Sequence, residues 1–191
     1  MSNYEGVEDT LFIPLTARVN ISKMFPEYFY DKKALKMENL VKDKEIEKKS
    51  SQYTLMASVA RSYNLDQMTQ EYIDKHDKCN IVNLGVGLET SYFRIDRKNS
   101  NYFEVDLPNV IELRKNYIGI GENEKFIKGD LFKLDWCNEL DTTLPTLMIV
   151  FFLFDLLIKS LLYDFSSIGF ATTYTLLLLA FFFTILLTLS V

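Results

Sequence analysis

The sequence is poor in the residues that most often announce a mechanism. Its 191 residues include two cysteines, one histidine, one tryptophan and four prolines. Cys79 and Cys137 make neither a disulfide framework nor a metal-ligand set, and two unpaired thiols suit a reducing compartment. His76 lies in the charged stretch DKHDK and reads as a surface residue, so no good general base is in sight and no metal is expected. A basic excess is also missing. The net charge is −5, which argues against nucleic acid as a partner, because phosphate binding wants a positive face. No apolar leader stands at the N-terminus, where Asn3, Glu5, Glu8 and Asp9 interrupt any such run.

The most informative absence is local. Every basic residue except Lys159 precedes Phe151, and from Phe165 onward there is no charge at all. The chain reads as an ordinary globular segment followed by an apolar tail. Three regions are expected: an N-terminal helical lid over 1–75, a nucleotide-binding half-domain over 76–150, and the tail over 151–191. Ile168–Val191 supplies 24 uncharged residues, and about 20 suffice to cross a bilayer. Leu147–Tyr163 is a poorer span, with Asp155 and Lys159 in its middle. A membrane anchor carrying a cytoplasmic domain and an out-of-frame end on a cytoplasmic protein are both expected readings of the tail. A buried helical core segment is the weakest, since no polar face remains.

Before the tail, the periodicity changes from helical to alternating. Leu11–Lys23 reads as a helix with Pro14 near its start, and Asp31 can cap the segment DKKALKMEN. Lys42–Lys49 is a charge run suited to a solvated helix face or loop. Ser50 or Ser51 can cap a helix whose Tyr53, Met56, Ala57, Ala60, Tyr63 and Asn64 form a stripe expected to pack on a core, with a second piece over Leu65–Ile73. Short β-prone runs follow at Asn80–Leu84, Tyr102–Val105, Lys125–Lys128 and Thr146–Phe152, with helices expected to start near Leu88 and at Pro108. Strands alternating with helices imply βαβ units, hence an α/β fold with a parallel sheet.

The candidate site lies at the ends of these strands. Gly85-Val86-Gly87 closes the first, where glycines allow a sharp turn and close approach of a ligand; a plain tight turn would use them equally. Asp106 follows Gly87 by 19 residues at the tip of the second strand. There a carboxylate can accept from both hydroxyls of a ribose, or cap the next helix, or both. Gly129-Asp130-Leu131 closes the third strand and is also a common turn sequence. The three features in this order argue against a nicotinamide cofactor, because Thr90 occupies the third glycine position and Gly129-Asp130-Leu131 would have no role there.

The stretches IVNLGVGLETSYFRID, YFEVDLPNVIELRKNYI and KFIKGDLFKLDW resemble the leucine carboxyl methyltransferase family and its bacterial O-methyltransferase relatives. Ala60-Arg61-Ser62 with Asp66, and Thr16-Ala17-Arg18, resemble motifs of that family's helical lid. The resemblance covers about Leu11 to Val150, with Glu89 and Ser91 where aspartate and arginine are usual. It implies a Rossmann-like fold that binds S-adenosylmethionine (SAM) and methylates an oxygen of a small-molecule or carboxylate acceptor. It also implies roles. Arg61 would pair with the SAM carboxylate, Gly85 and Gly87 would line the methionine, Asp106 would hold the ribose, and Asp130 and Leu131 the adenine. Arg18 would reach the acceptor or the cofactor; for both arginines a surface salt bridge is the alternative. After Val150 the family's remaining strands are not recognisable, so a truncated or frameshifted sheet, inactive or serving as a membrane-tethered binding module, is expected. The sequence assigns no oligomeric state.

Overall fold

A computed structural model describes residues 8–41, 51–131 and 133–150. The readings placed on 42–50 and on the tail from 151 onward, the membrane anchor among them, lie outside the described residues. Among the described residues no helix is long and apolar enough to cross a membrane. All of them belong to one unit, Met1–Phe151.

Helix α1 (Glu8–Met24) is longer than the sequence pattern suggests, so Pro14 sits inside it rather than near its start. Proline removes one intrahelical bond there. Burial of Phe12, Leu15, Ala17, Val19 and Ile21 on several sides holds the segment in place. Helix α2 (Lys32–Lys36) begins as expected, with Asp31 Oδ1 accepting from the amides of Lys33 and Ala34 at 3.1 and 2.8 Å. Helix α3 (Gln52–Asp74) is one continuous helix capped by Ser51, whose Oγ accepts from Thr54 N at 3.1 Å.

The expected inward face of α3 is wrong. Tyr53, Met56 and Tyr63 are 66%, 55% and 47% exposed, whereas Ser58, Val59, Ser62, Leu65, Asp66, Thr69 and Ile73 face inward. Polar groups win the inner face because Ser62 and Asp66 meet buried partners, described below. Met56, Ala60, Tyr63 and Asn64 instead line an open cleft of about 380 Å³ with Ile21, Tyr28 and Phe29.

Strands β1 (Asn80–Leu84), β2 (Asn101–Asp106), β3 (Glu124–Lys128) and β4 (Thr146–Val150) form a parallel sheet in the order β3-β2-β1-β4. Central β1 is buried along its whole length, as a strand covered on both faces should be. Helix α4 (Pro108–Tyr117) starts on proline, as expected, and crosses from β2 to β3. No regular helix starts near Leu88. Only a 3-10 turn forms at Ser91–Phe93, because Thr90 departs from helical geometry at φ −130° while Glu89 and Thr90 turn into a buried network. The order reverses between β1 and β4, and the crevice outside the carboxyl ends of strands at such a reversal is where open α/β sheets bind ligands.

Candidate functional site

The structure brings three of the sequence-predicted features together at that edge. Gly85 and Gly87 adopt φ +64° and +52°, the left-handed region that favours glycine. A Cβ at Gly87 would also lie 2.9 Å from Leu11 Cδ2. Gly87 N donates to Asp106 Oδ2 at 2.8 Å, and Leu107 N donates to Oδ1 at 2.7 Å. Asp106 therefore grips the glycine loop rather than capping α4, whose cap position is Leu107. Its main chain ties in the third feature, since Gly129 N donates to Asp106 O at 3.0 Å. Burial raises the Asp106 carboxyl above its ordinary range, and the Gly87 and Leu107 amides pull it back. Asp130 and Leu131 form the turn after β3, where Lys133 N donates to Asp130 O and Trp136 Nε1 donates to Leu131 O.

In the N-terminal helices, Arg18 is not a surface residue. It is 1% exposed and its donors are engaged within the protein. Nε meets Asp31 Oδ2 at 3.2 Å, Nη1 meets Glu89 Oε2 at 2.9 Å and Nη2 donates to Leu88 O at 2.7 Å. Arg94, which the sequence reading passed over, is the centre of the same cluster. It forks onto Asp66 at 2.6 and 2.9 Å and reaches Asp31 Oδ2 at 2.7 Å and Glu89 Oε1 at 2.8 Å. Ser62 Oγ and Thr90 complete the cluster. Arg61 stands at its margin. Its Nε is buried and has no hydrogen-bond partner among the described residues. Burial lowers its pKa, the Glu89 charge opposes that, and Arg18 adds to it.

A second buried cluster, also missed, lies beneath the loop. Arg114 Nη1 donates to Gly87 O at 2.9 Å and to Glu89 O at 2.7 Å, while Nη2 lies 3.4 Å from both Glu104 and Glu124. One signal for it was available: Glu104 is a charged residue in the middle of the β-prone run NYFEVD.

These environments set a pH dependence. Burial opposes ionisation of Glu89, but Arg18 and Arg94 outweigh it and hold the carboxyl at about 2 against an ordinary 4.5. A lowered acid contributes stability that is present above pH 4.5 and lost as pH falls toward 2. Glu104 is the opposite case: burial lifts it to about 8, with Arg114 pulling back and Glu124 pushing further. Burial lifts Asp66 to about 6 against its Arg94 fork. A raised acid binds its proton more tightly when folded, so stability declines as pH climbs from the ordinary value to the raised one. Urea unfolding across this range should show a maximum near pH 4.5 and a decline toward pH 8. Stability rising steadily to pH 8 would contradict these assignments.

The chain is similar to the tetracenomycin polyketide synthesis O-methyltransferase TcmP of Streptomyces glaucescens, 26% identical over 90 residues that cover 47% of this chain and 33% of that protein. The match thus spans about a third of the length of this curated relative. No solved structure matches. The family described as leucine carboxyl methyltransferase matches residues 6–149, three quarters of the sequence, and the chain belongs to that family.

Proposed function

We propose that this chain binds SAM across the carboxyl ends of β1, β2 and β3 and serves methyl transfer to an oxygen of a carboxyl or hydroxyl acceptor. The observation that carries the reading is Arg61. A buried guanidinium nitrogen without a partner is costly, and a planar fork suits a carboxylate such as that of the methionine moiety. Gly85 and Gly87 turn the loop at positive φ, where a side chain would be strained, and a Cβ at Gly87 would also crowd Leu11. Asp106 keeps lone pairs beyond those taken by Gly87 and Leu107 and can accept from the ribose hydroxyls. Asp130 and Leu131 extend the same edge toward the adenine. Arg18 supports the loop through Leu88 and Glu89, and its reach toward an acceptor would run through that support.

When bound, SAM supplies an activated methyl on sulfur, open to in-line attack by an anionic oxygen. Such an attack needs little proton transfer, so the protein's part is to orient the two reactants and keep water out. Titration calorimetry on the full chain tests this directly. Saturable SAM binding is expected, weakened about 10- to 100-fold in Arg61→Met, the loss typical of a hydrogen bond to a charged group. A folded chain that gives no binding heat would overturn the proposal.

A further inference from the structure

Gly87 is held at both ends of its backbone. Its N–H donates to Asp106 and its C=O accepts from Arg114, two residues that bracket the first two turns of α4. Arg114 also reaches Glu89 O, so a single nitrogen, Nη1, bridges two carbonyls of the loop. The guanidinium is fully buried, and so are the carboxyl groups of Glu104 and Glu124 beside Nη2. Glu124 is fixed in turn, as Gly121 N donates to its Oε2 at 2.8 Å, and Asn83 Nδ2 donates to Glu104 Oε1 at 3.3 Å. Glu104 belongs to β2 and Asn83 to β1, paired across the sheet. The loop conformation is thereby referred, through one side chain, to the centre of the sheet.

Burying one cation against two carboxylates would leave a net negative charge in a low dielectric, which is strongly disfavoured. The elevated titration of Glu104 is the expected response, since a proton on it leaves Arg114 matched by one carboxylate, Glu124. The cluster is then neutral at working pH and Arg114 is free to direct Nη1 at the carbonyls.

We propose that Arg114 is a positioning residue for the methionine half of the SAM site, holding Gly87 and Glu89 from beneath without touching the ligand. This rests on the SAM-binding reading above. A lysine in its place keeps the charge but cannot serve two carbonyls and two carboxylates with a fixed fork. A generally destabilised site would weaken every ligand alike, whereas a fault confined to the loop weakens only ligands that use it.

The test compares two ligands on the full-length wild type and Arg114→Lys: SAM, and 5′-methylthioadenosine, which has the adenine and ribose but no amino-acid portion. SAM affinity should fall at least tenfold in Arg114→Lys while 5′-methylthioadenosine affinity changes less than about threefold, a loss of roughly 1.4 kcal/mol confined to one half of the ligand. Unchanged SAM affinity would overturn the role, and so would equal losses for both ligands. Should Arg114→Lys not fold, the same comparison is made on Glu124→Gln, which removes the carboxylate matched to Arg114 while keeping the side-chain shape, with the same split expected at smaller size. If the wild type binds neither ligand, the SAM reading itself falls and this role with it; if the wild type binds and the variant matches it, only the role falls.

Discussion

Replacing Arg94 by methionine should destabilise the fold by about 3–5 kcal/mol, the usual cost of removing one partner from a buried ionic group. The side chain is 7% exposed and makes five hydrogen bonds, to Asp31, Thr90, Glu89 and twice to Asp66. Its ring-face contact with Phe29, 5.1 Å from guanidinium carbon to ring centroid, would survive in part as apolar packing. The dominant loss is electrostatic. Asp31, Asp66 and Glu89 would remain buried together, with Arg18 the one arginine still in contact with two of them. Arg94→Lys keeps the charge and loses the two-pronged contact with Asp66, so it should fall between wild type and Arg94→Met. The urea midpoint of the full chain measures this. A shift equivalent to less than about 1 kcal/mol would mean that the cluster relaxes around the missing charge at little cost.

Asp106→Ala should weaken SAM binding by about 100-fold or more. Each hydrogen bond to a charged group contributes about 1.5–3 kcal/mol, and a ribose can offer two. The variant also frees Gly87 N and Leu107 N, so the loop loses its grip on the tip of β2 at the same time. Asp106→Asn separates the two effects. Its amide retains one oxygen acceptor for Gly87 while losing the charge, and a loss nearer tenfold is expected. Calorimetry or ligand-induced fluorescence change measures both, with circular dichroism to show that the fold persists. Affinity for Asp106→Ala within threefold of wild type would remove the carboxylate from the binding site.

Much of the architecture was legible because it depends on local pattern. Asn80–Leu84 running into two glycines, an acid 19 residues past the second, and Gly129-Asp130 after a third strand are all read along the chain, and the parallel order follows from strands alternating with helices. The inner face of α3 was not legible by the same means. Apolar periodicity selected Tyr53, Met56 and Tyr63, while the groups drawn inward were Ser62 and Asp66, whose reasons for burial lie 27 and 28 residues away on Glu89 and Arg94. Arg18 presents the same difficulty. A lone arginine on an apolar helix suggests a ligand or a surface pair until Asp31 and Glu89 are placed beside it. Hydropathy reports which residues avoid water, whereas partner geometry decides which charged residues can do without it. The short turn at Ser91–Phe93 was misread as a helix start for a related reason: Glu89 and Thr90 bond across the structure rather than along the chain.

The Arg18–Asp31–Glu89–Arg94–Asp66 cluster also sets an order of assembly. Its closing contacts join residues 71 and 63 positions apart, and β1 waits for β4, paired from Asn80 to Thr146, before its second edge is covered. During synthesis α1 and α2 therefore emerge carrying Arg18 and Asp31, whose shared contact at 3.2 Å can form at once, but with no partner yet for Arg18 Nη1. Glu89 must leave the ribosome before Arg18 Nη1 has its carboxylate partner. Non-local contacts of this length slow folding, and here they make the buried ion pairs of the N-terminal helices wait for the loop after β1.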